Sequence, residues 1–308
     1  MSASKNNLKE EREGLSKDFL NFVEEKGMSR SDAARDMGIS DATLSLWLSN
    51  KYDGSVAKIN EAVKNFLERE KERSRNTVVD IKFVAIGPAK RFMEIARVCH
   101  LDRALGVIYG ESGSGKTWSA REYVRKHYDA ILVEVDPNKW SGRVLLKKIH
   151  RKLNMDGKGN ADEMMLEIIA RLEGTGRFII IDEAENLDPS VLDLARRIHD
   201  HARIGMLLVG TPRLVHNLRG REGGLDQVCK RSSASYWAES LKIQDTEAIV
   251  KSCIAEASAG LCEAFHQESG GNVRVLSMLI LRSIRFAETD RVPVDPEYVR
   301  MAKKFITI

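Results

Sequence analysis

Four cysteines in 308 residues, with no CxxC pair among them and no even spacing, exclude a disulfide scaffold and a standard zinc module. The nearest approach to a metal cluster is Cys253, Cys262 and His266, whose spacing matches no known ligand set and reads as helix packing. Also missing is any run of about 18 apolar residues, the length a bilayer span requires. The opening stretch MSASKNNLKEEREG lacks the apolar core of a secretory signal, so the expectation is a cytoplasmic chain with no membrane partner. Internal repeats and low-complexity tracts are absent. So is a bulk charge of one sign: 49 Lys+Arg stand against 45 Asp+Glu, a formal net charge of +4, and any nucleic-acid surface must therefore be local.

What is present suffices for two or three packed domains, since 43% of the residues are hydrophobic. Residues 15–73 read helical. Leu15, Phe19, Phe22 and Val23 recur at i, i+4, i+7 and i+8, and Gly27 stops that helix. Residues 31–37 form a short second helix closed by Gly38. Ser40 or Asp41 caps a third, which turns Leu44, Trp47 and Leu48 inward. A fourth carries Val56, Ile59, Val63, Phe66 and Leu67 and runs into the charged tail EREKERSRN, the first domain boundary.

Beyond that tail, short apolar runs alternate with helical stretches, the grammar of a parallel sheet covered by helices. The runs span 104–110, 130–136, 177–184, 204–211 and 234–240, and their continuity suits strands buried on both faces. From about Leu241 the chain reads wholly helical again, as a small lid.

The first run ends in GESGSGKT, residues 110–117, which fits GxxxxGK[ST] between a strand and a helix. Gly113 and Gly115 allow the backbone to form a nest of N–H groups, and the helix N-terminus adds positive potential. Lys116 reaches the β- and γ-phosphates, and Thr117 ligates Mg²⁺. The nucleotide-binding set is thus Gly110, Glu111, Ser112, Gly113, Ser114, Gly115, Lys116 and Thr117, with the adjoining Trp118. FIIIDEA supplies the second half. An acidic pair at the end of a buried strand is costly to desolvate unless a cation or polarised water sits beside it. Asp182 holds the Mg²⁺ shell, and Glu183 accepts a proton from the attacking water or orients it. ATP and Mg²⁺ are the expected cofactors.

Three further residues join this set with an alternative beside each. Thr211, ending LLVGT, either feels the γ-phosphate or merely turns the chain with Pro212. Arg231, with Lys230, in CKRSS either reaches a neighbouring subunit's phosphates as an arginine finger or is surface charge. Arg274 in GGNVRVL either reports on nucleotide or makes a lid salt bridge.

This order of parts resembles the ground plan of the AAA+ ATPases: strand, P-loop, DE strand, strand with a polar tip, arginine before the fifth strand, helical lid with an arginine. More narrowly, the chain is similar to the family of phage Mu-type transposition activators. The resemblance runs through the N-terminal helices ending SNKYDG, GESGSGKTWSAREY, ARLEGTGRFIIIDEAENL, LLVGTPR and a closing EYVRMA helix. RLEGT is the most distinctive of these segments. The resemblance as a whole implies an α/β fold, an AAA+ P-loop NTPase with a five-stranded parallel sheet and an α-helical C-terminal lid, preceded by an all-α helix-turn-helix domain. The expected boundaries are 1–75, 76–240 and 241–308. By the same resemblance the protein is a DNA-stimulated ATPase that binds double-stranded DNA with little sequence preference. It polymerises there as a helical homo-oligomeric filament and recruits or activates a DDE transposase of the Mu type in a bacterial host cytoplasm.

One departure from that family stands out. Where a cluster of arginines is expected ahead of the RLEGT helix, this chain has MDGKGNADE, with Lys158 its only base. Lys139 and Arg143, followed by Lys147 and Lys148, are the other candidates for tracking phosphates, unless they are solvated helix charges. In the N-terminal domain the third helix offers Asp41, Thr43 and Ser45 to a groove. No Arg, Asn or Gln lies on that face, so non-specific DNA contact through Thr43 and Ser45, aided by Arg30, Arg35, Lys51 and Lys58, or protein docking, fits better than operator reading. Two other functions share these motifs: a helicase-loader-like ATPase, and a transcription regulator switched by ATP.

Overall fold

Apolar residues four, seven and eight apart build the N-terminal helices, and serines start two of them. The computed structural model describes residues 2–75, 81–138, 140–219 and 234–306. It divides the chain into two units, Met1–Val78 and Val79–Ile308. The first holds α1 (Ser2–Lys26), α2 (Arg30–Asp36), α3 (Asp41–Leu48) and α4 (Val56–Arg75). Ser29 Oγ accepts from the Asp32 amide and Ser40 Oγ from the Thr43 amide, 3.0 Å away in the second case. Ser40 is therefore the cap of α3, and Asp41 is its first helical residue. Phe19, Leu44, Trp47, Val63 and Phe66 are buried together, with the Phe19 and Phe66 rings 6.0 Å apart. Leu15, Phe22 and Leu48 are only partly buried against them. Two polar anchors accompany this core. Trp47 Nε1 donates to Asn60 Oδ1 at 3.0 Å, and the buried Arg12 donates to Asn50 Oδ1. Because α1 begins at Ser2, its first turns precede the apolar stripe that marks it in the sequence.

In the second unit α5 (Gly87–Leu101) precedes β1 (Leu105–Tyr109). There follow α6 (Lys116–Lys126), β2 (Ala130–Glu134), α7 (Gly142–Lys152), α8 (Ala161–Leu172), β3 (Phe178–Asp182), α9 (Pro189–Ala202), β4 (Gly205–Gly210), α10 (Pro212–Arg219) and β5 (Ala234–Trp237). The strands form one parallel sheet in the order β2-β3-β4-β1-β5. Alternate side chains leave the strands on opposite faces. Val107, Val133, Ile179, Ile181, Met206 and Leu208 pack under α7–α10, and Ile108, Leu132, Phe178, Ile180, Leu207 and Val209 pack under α5 and α6. Both faces of β1–β4 are thus dry, as their unbroken apolar runs require.

β5 departs from that expectation. It ends at Trp237 rather than Ser240, and its side chains alternate between half-buried and exposed. It lies at the sheet edge, paired with β1, with Ser235 and Trp237 exposed; β2, at the opposite edge, is buried, so edge position alone does not set this exposure. The lid helices α11 (Ile243–Cys253), α12 (Ala259–Ser269), α13 (Val273–Asp290) and α14 (Pro296–Lys303) share a separate core of Phe265, Leu276, Leu279, Ile280 and Val299. His266 and Cys262 belong to this helical packing, His266 Nδ1 being 2.9 Å from Thr246 Oγ1. Among the described residues no helix is long and apolar enough to cross a membrane.

Replacing Asn60 by Ala strands the buried indole N–H of Trp47. The expected cost is about 1–3 kcal/mol for the N-terminal unit, read as lost amide hydrogen-exchange protection across α3 and α4. Unchanged protection would contradict the role given to this bond.

Candidate functional site

The C-terminal edge of the sheet gathers the polar residues that its interior excludes. β1 delivers Gly110, and the chain turns through residues 111–115 into α6. Gly113 and Gly115 have φ of 84° and 85°, in the left-handed region that side chains disfavour. A Cβ on Gly113 would also lie 2.2 Å from Asn272 Oδ1, so that position has no room for one. With Gly115 as N-cap, the amides of Lys116, Thr117 and Trp118 begin α6 with no carbonyl a turn behind them. They and the helix dipole favour an anion at this spot.

Lys116 is buried, and its ammonium donates to Gly110 O and Glu111 O at 2.8 Å and to Ser114 Oγ at 3.0 Å. Burial lowers its pKa, opposed by the charges of Asp182, Glu185 and Glu111. Asp182 ends β3 and is almost wholly buried, which raises its pKa; a hydrogen bond from the Thr117 side chain, the Glu183 amide and the Lys116 charge pull it back. Desolvation therefore pushes both groups toward neutrality, and each restrains the other. A polyanion beside Lys116, or a divalent cation beside Asp182, would favour the charged forms.

Glu183, immediately after β3, adopts φ 55° and ψ 35°. This left-handed turn carries its carboxylate out of the sheet to the exposed rim, where burial first and then Asp182 and Glu185 raise its pKa while Arg274 lowers it. A 3₁₀ turn, Ala184–Asn186, follows. It places Glu185 against the end of β4, where its Oε2 is buried without a hydrogen-bond partner and close enough to Gly210 that a Cβ there would lie 2.4 Å away.

These groups surround a cavity of about 680 Å³. Ser112, Gly113, Gly115, Lys116, Thr117 and Trp118 line one side, Asp182, Glu183, Glu185 and Asn186 another, and Gly210 and Thr211 a third. The lid closes it with Val273, Arg274, Ser277 and Met278. Of the sequence-predicted set, Gly110, Glu111 and Ser114 hold the Lys116 ammonium rather than line the cavity. Thr211 lines the cavity, and its carbonyl also accepts from the Leu214 amide at the start of α10, the chain turn weighed beside its phosphate role. Arg231, Lys230 and Lys139 lie outside the described residues.

The sequence reading passed over Glu185, Asn186, Arg121 and Asn272, all at or beside the cavity. Glu185 and Asn186 were present in the DEAEN string; Asn272 carried a faint signal as the residue preceding a helix. Away from the cavity, Arg143 is exposed and its Nη2 donates to Gly159 O at 3.3 Å, which sets it beside Lys158. Lys158 is exposed and pairs with Asp156 at 3.8 Å. On α3 Ser45 is exposed, whereas Thr43 is half-buried with its hydroxyl 2.8 Å from Ser40 Oγ.

The donor set fits ATP with Mg²⁺. Among the described residues no three His, Cys, Asp or Glu side chains form a self-contained metal cage. The Thr117 hydroxyl and the Asp182 carboxylate, both lining the cavity, offer two hard oxygens, as suits an ion that completes its shell with water and phosphate oxygens.

The AAA domain family matches residues 100–218. The chain is 25% identical to the ATP-dependent target DNA activator B of Escherichia phage Mu, over 96% of this chain and 95% of that one. It is 24% identical to the Mu-like prophage FluMu DNA transposition protein B of Haemophilus influenzae, over 81% and 89%. Among solved structures, the ADP form of the Aeropyrum pernix ORC2 protein superposes with a TM-score of 0.56 at 17% identity, covering 73% of this chain and 69% of that one, a likeness of fold.

Gly113→Ala should destabilise the second unit by about 1–3 kcal/mol, because it combines left-handed backbone with a clash against Asn272. Thermal unfolding measures this, and an unchanged Tm would show that the loop is not held as described.

Proposed function

We propose that this chain, whose residues 100–218 match the AAA domain family, binds and hydrolyses ATP in the cavity at the sheet edge and thereby controls its hold on target DNA for a transposase. The observation that carries this reading is the likeness to the phage Mu target DNA activator, which extends over 96% of the chain and so includes both units. An ATPase core alone would be compatible with many tasks.

In this reading residues 112–118 hold the triphosphate through backbone amides, with Lys116 on its β- and γ-oxygens. Thr117 and Asp182 hold Mg²⁺, which when bound neutralises charge developing on those oxygens. Glu183, at the exposed rim with a raised pKa, accepts the proton of the attacking water. Thr211 at the tip of β4 and Arg274 from the lid line the same cavity, and in this reading they meet the γ-phosphate. Arg231 completes a neighbouring subunit's site in trans, the role an arginine finger plays. That dependence on a neighbour makes assembly and hydrolysis one event, and a helical filament on duplex DNA is the assembly proposed.

DNA is tracked through phosphates rather than bases. Arg143 and Lys158 meet at one end of α7, whose exposed side continues the basic character with Lys147, Arg151 and Lys152 and carries no acidic residue. Lys139 is the preceding base in the chain. The helix-turn-helix of the N-terminal unit, through Ser45 and Thr43, is an accessory handle with little capacity to specify sequence.

Electron microscopy of the protein with duplex DNA and ATP should show filaments, and isolated rings or no ordered assembly would contradict the proposal. Lys116→Ala should abolish nucleotide-dependent assembly. Glu183→Gln should retain ATP, lose at least about a hundredfold in kcat, and leave assemblies frozen on DNA. Arg143→Ala and Lys158→Ala should each weaken DNA binding equally across sequences and reduce the salt slope by about one. A sequence-dependent loss, or an unchanged slope, would remove that surface from the DNA path.

A further inference from the structure

We propose that Asn272 is a positioning residue that ties the lid to the phosphate loop, so that the loop's engagement with nucleotide sets where Arg274 points. The inference rests on ATP occupying the cavity as described above. Asn272 uses both ends of its side-chain amide. Oδ1 accepts from the backbone amides of Arg274 and Val275 at 3.0 and 3.1 Å, which caps α13, while Nδ2 donates to Ser112 O at 2.9 Å. Two N–H donors on one side and a carbonyl on the other fix the orientation of the amide. A second bond lies beside the first, from the Val273 amide to Gly113 O at 2.7 Å.

The first turn of α13 is thus held by two consecutive carbonyls of the phosphate loop, and α13 is a stiff element. Leu276, Leu279 and Ile280 bury its inner face in the lid core. The turn before it is fixed as well, since the Leu241 amide donates to Gly271 O at 2.9 Å. Arg274 lies one residue beyond the Val273 bond, lines the cavity, and is close enough for its charge to act on both Lys116 and Glu183. A displacement of Ser112 and Gly113 as their neighbouring amides take up a phosphate therefore moves the base of α13 and the guanidinium with it. The coupling is reciprocal, so a lid held in the docked position favours the loop geometry that binds the triphosphate.

Asn272→Ser separates the two functions of the side chain. A serine hydroxyl still caps α13 but is too short to reach Ser112 O. The experiment measures ATP and ADP affinity, kcat and Tm for the full chain carrying Asn272→Ser, Asn272→Ala, Arg274→Ala, or Asn272→Ser with Arg274→Ala. For Asn272→Ser the ratio of ATP to ADP affinity should fall about three- to tenfold with kcat, the worth of one hydrogen bond, while Tm holds. Arg274→Ala should lower the same ratio, and the double variant should lower it no further. A wild-type ratio and kcat in Asn272→Ser, with Asn272→Ala losing only Tm, would reduce Asn272 to a helix cap and overturn the proposal. Wild-type protein gives a second reading. ATP should raise amide protection in the first turn of α13 more than ADP does, and equal protection would contradict the coupling. A wild-type chain that binds neither nucleotide would remove the ATPase reading itself and this inference with it.

Discussion

The organising constraint in this protein is the burial of one carboxylate and one ammonium, Asp182 and Lys116, at the edge of a sheet whose two faces are both dry. A parallel sheet covered by helices has no wet face on which to place polar groups, so its chemistry concentrates where the strands end. Desolvation works against both charges. What holds them is a short list of neighbours: the Thr117 hydroxyl, the Glu183 amide, the carbonyls of Gly110 and Glu111, and each other. A site built in this way is suited to a polyphosphate and a hard cation, since each ligand favours the ionised form of the group it meets.

The surroundings follow from that pair. The sharp left-handed turn at Glu183 frees a second carboxylate from the strand direction and sends it to the rim, where water is available. The glycines of the loop give the helix N-terminus access to an anion, and they also let the lid approach so closely that Asn272 sits where a side chain at 113 would be. Chemistry, phosphate grip and lid position are thereby joined within a few residues. The proposed control of DNA binding by nucleotide calls for such a junction, because a ligand shifts a conformational balance only through contacts that differ between the states.

The parts legible in the sequence are those whose geometry is local. GxxxxGK[ST] between a strand and a helix encodes its own turn, and the apolar runs of β1–β4 encode their two-sided burial. The helical stripe through Phe19 and Val23 encodes the N-terminal core. What escaped depends on contacts distant in sequence. Asn272 meets Ser112 across 160 residues, and nothing near either one announces it. Glu185 stands in plain view in DEAEN, yet its orphaned oxygen against Gly210 exists only in three dimensions. β5 reads as an apolar run yet alternates half-buried and exposed side chains, while β2 at the opposite edge is buried, and which strand faces are covered is a property of the packed sheet rather than of the run. Whether Ser40 or Asp41 capped α3 was open because either side chain can do so; the backbone of residue 40, extended where residue 41 is helical, decided it.

The near full-length likeness to a target DNA activator and the desolvated phosphate site meet in one claim: the nucleotide state determines how firmly the protein holds duplex DNA. The most direct measurement is the affinity for random-sequence duplex at about 0.15 M salt with ATP, with ADP and without nucleotide, since phosphate-mediated binding is interpretable only at a stated ionic strength. The account predicts tight binding with ATP and a marked loss in the other two conditions. Equal affinity in all three would contradict it.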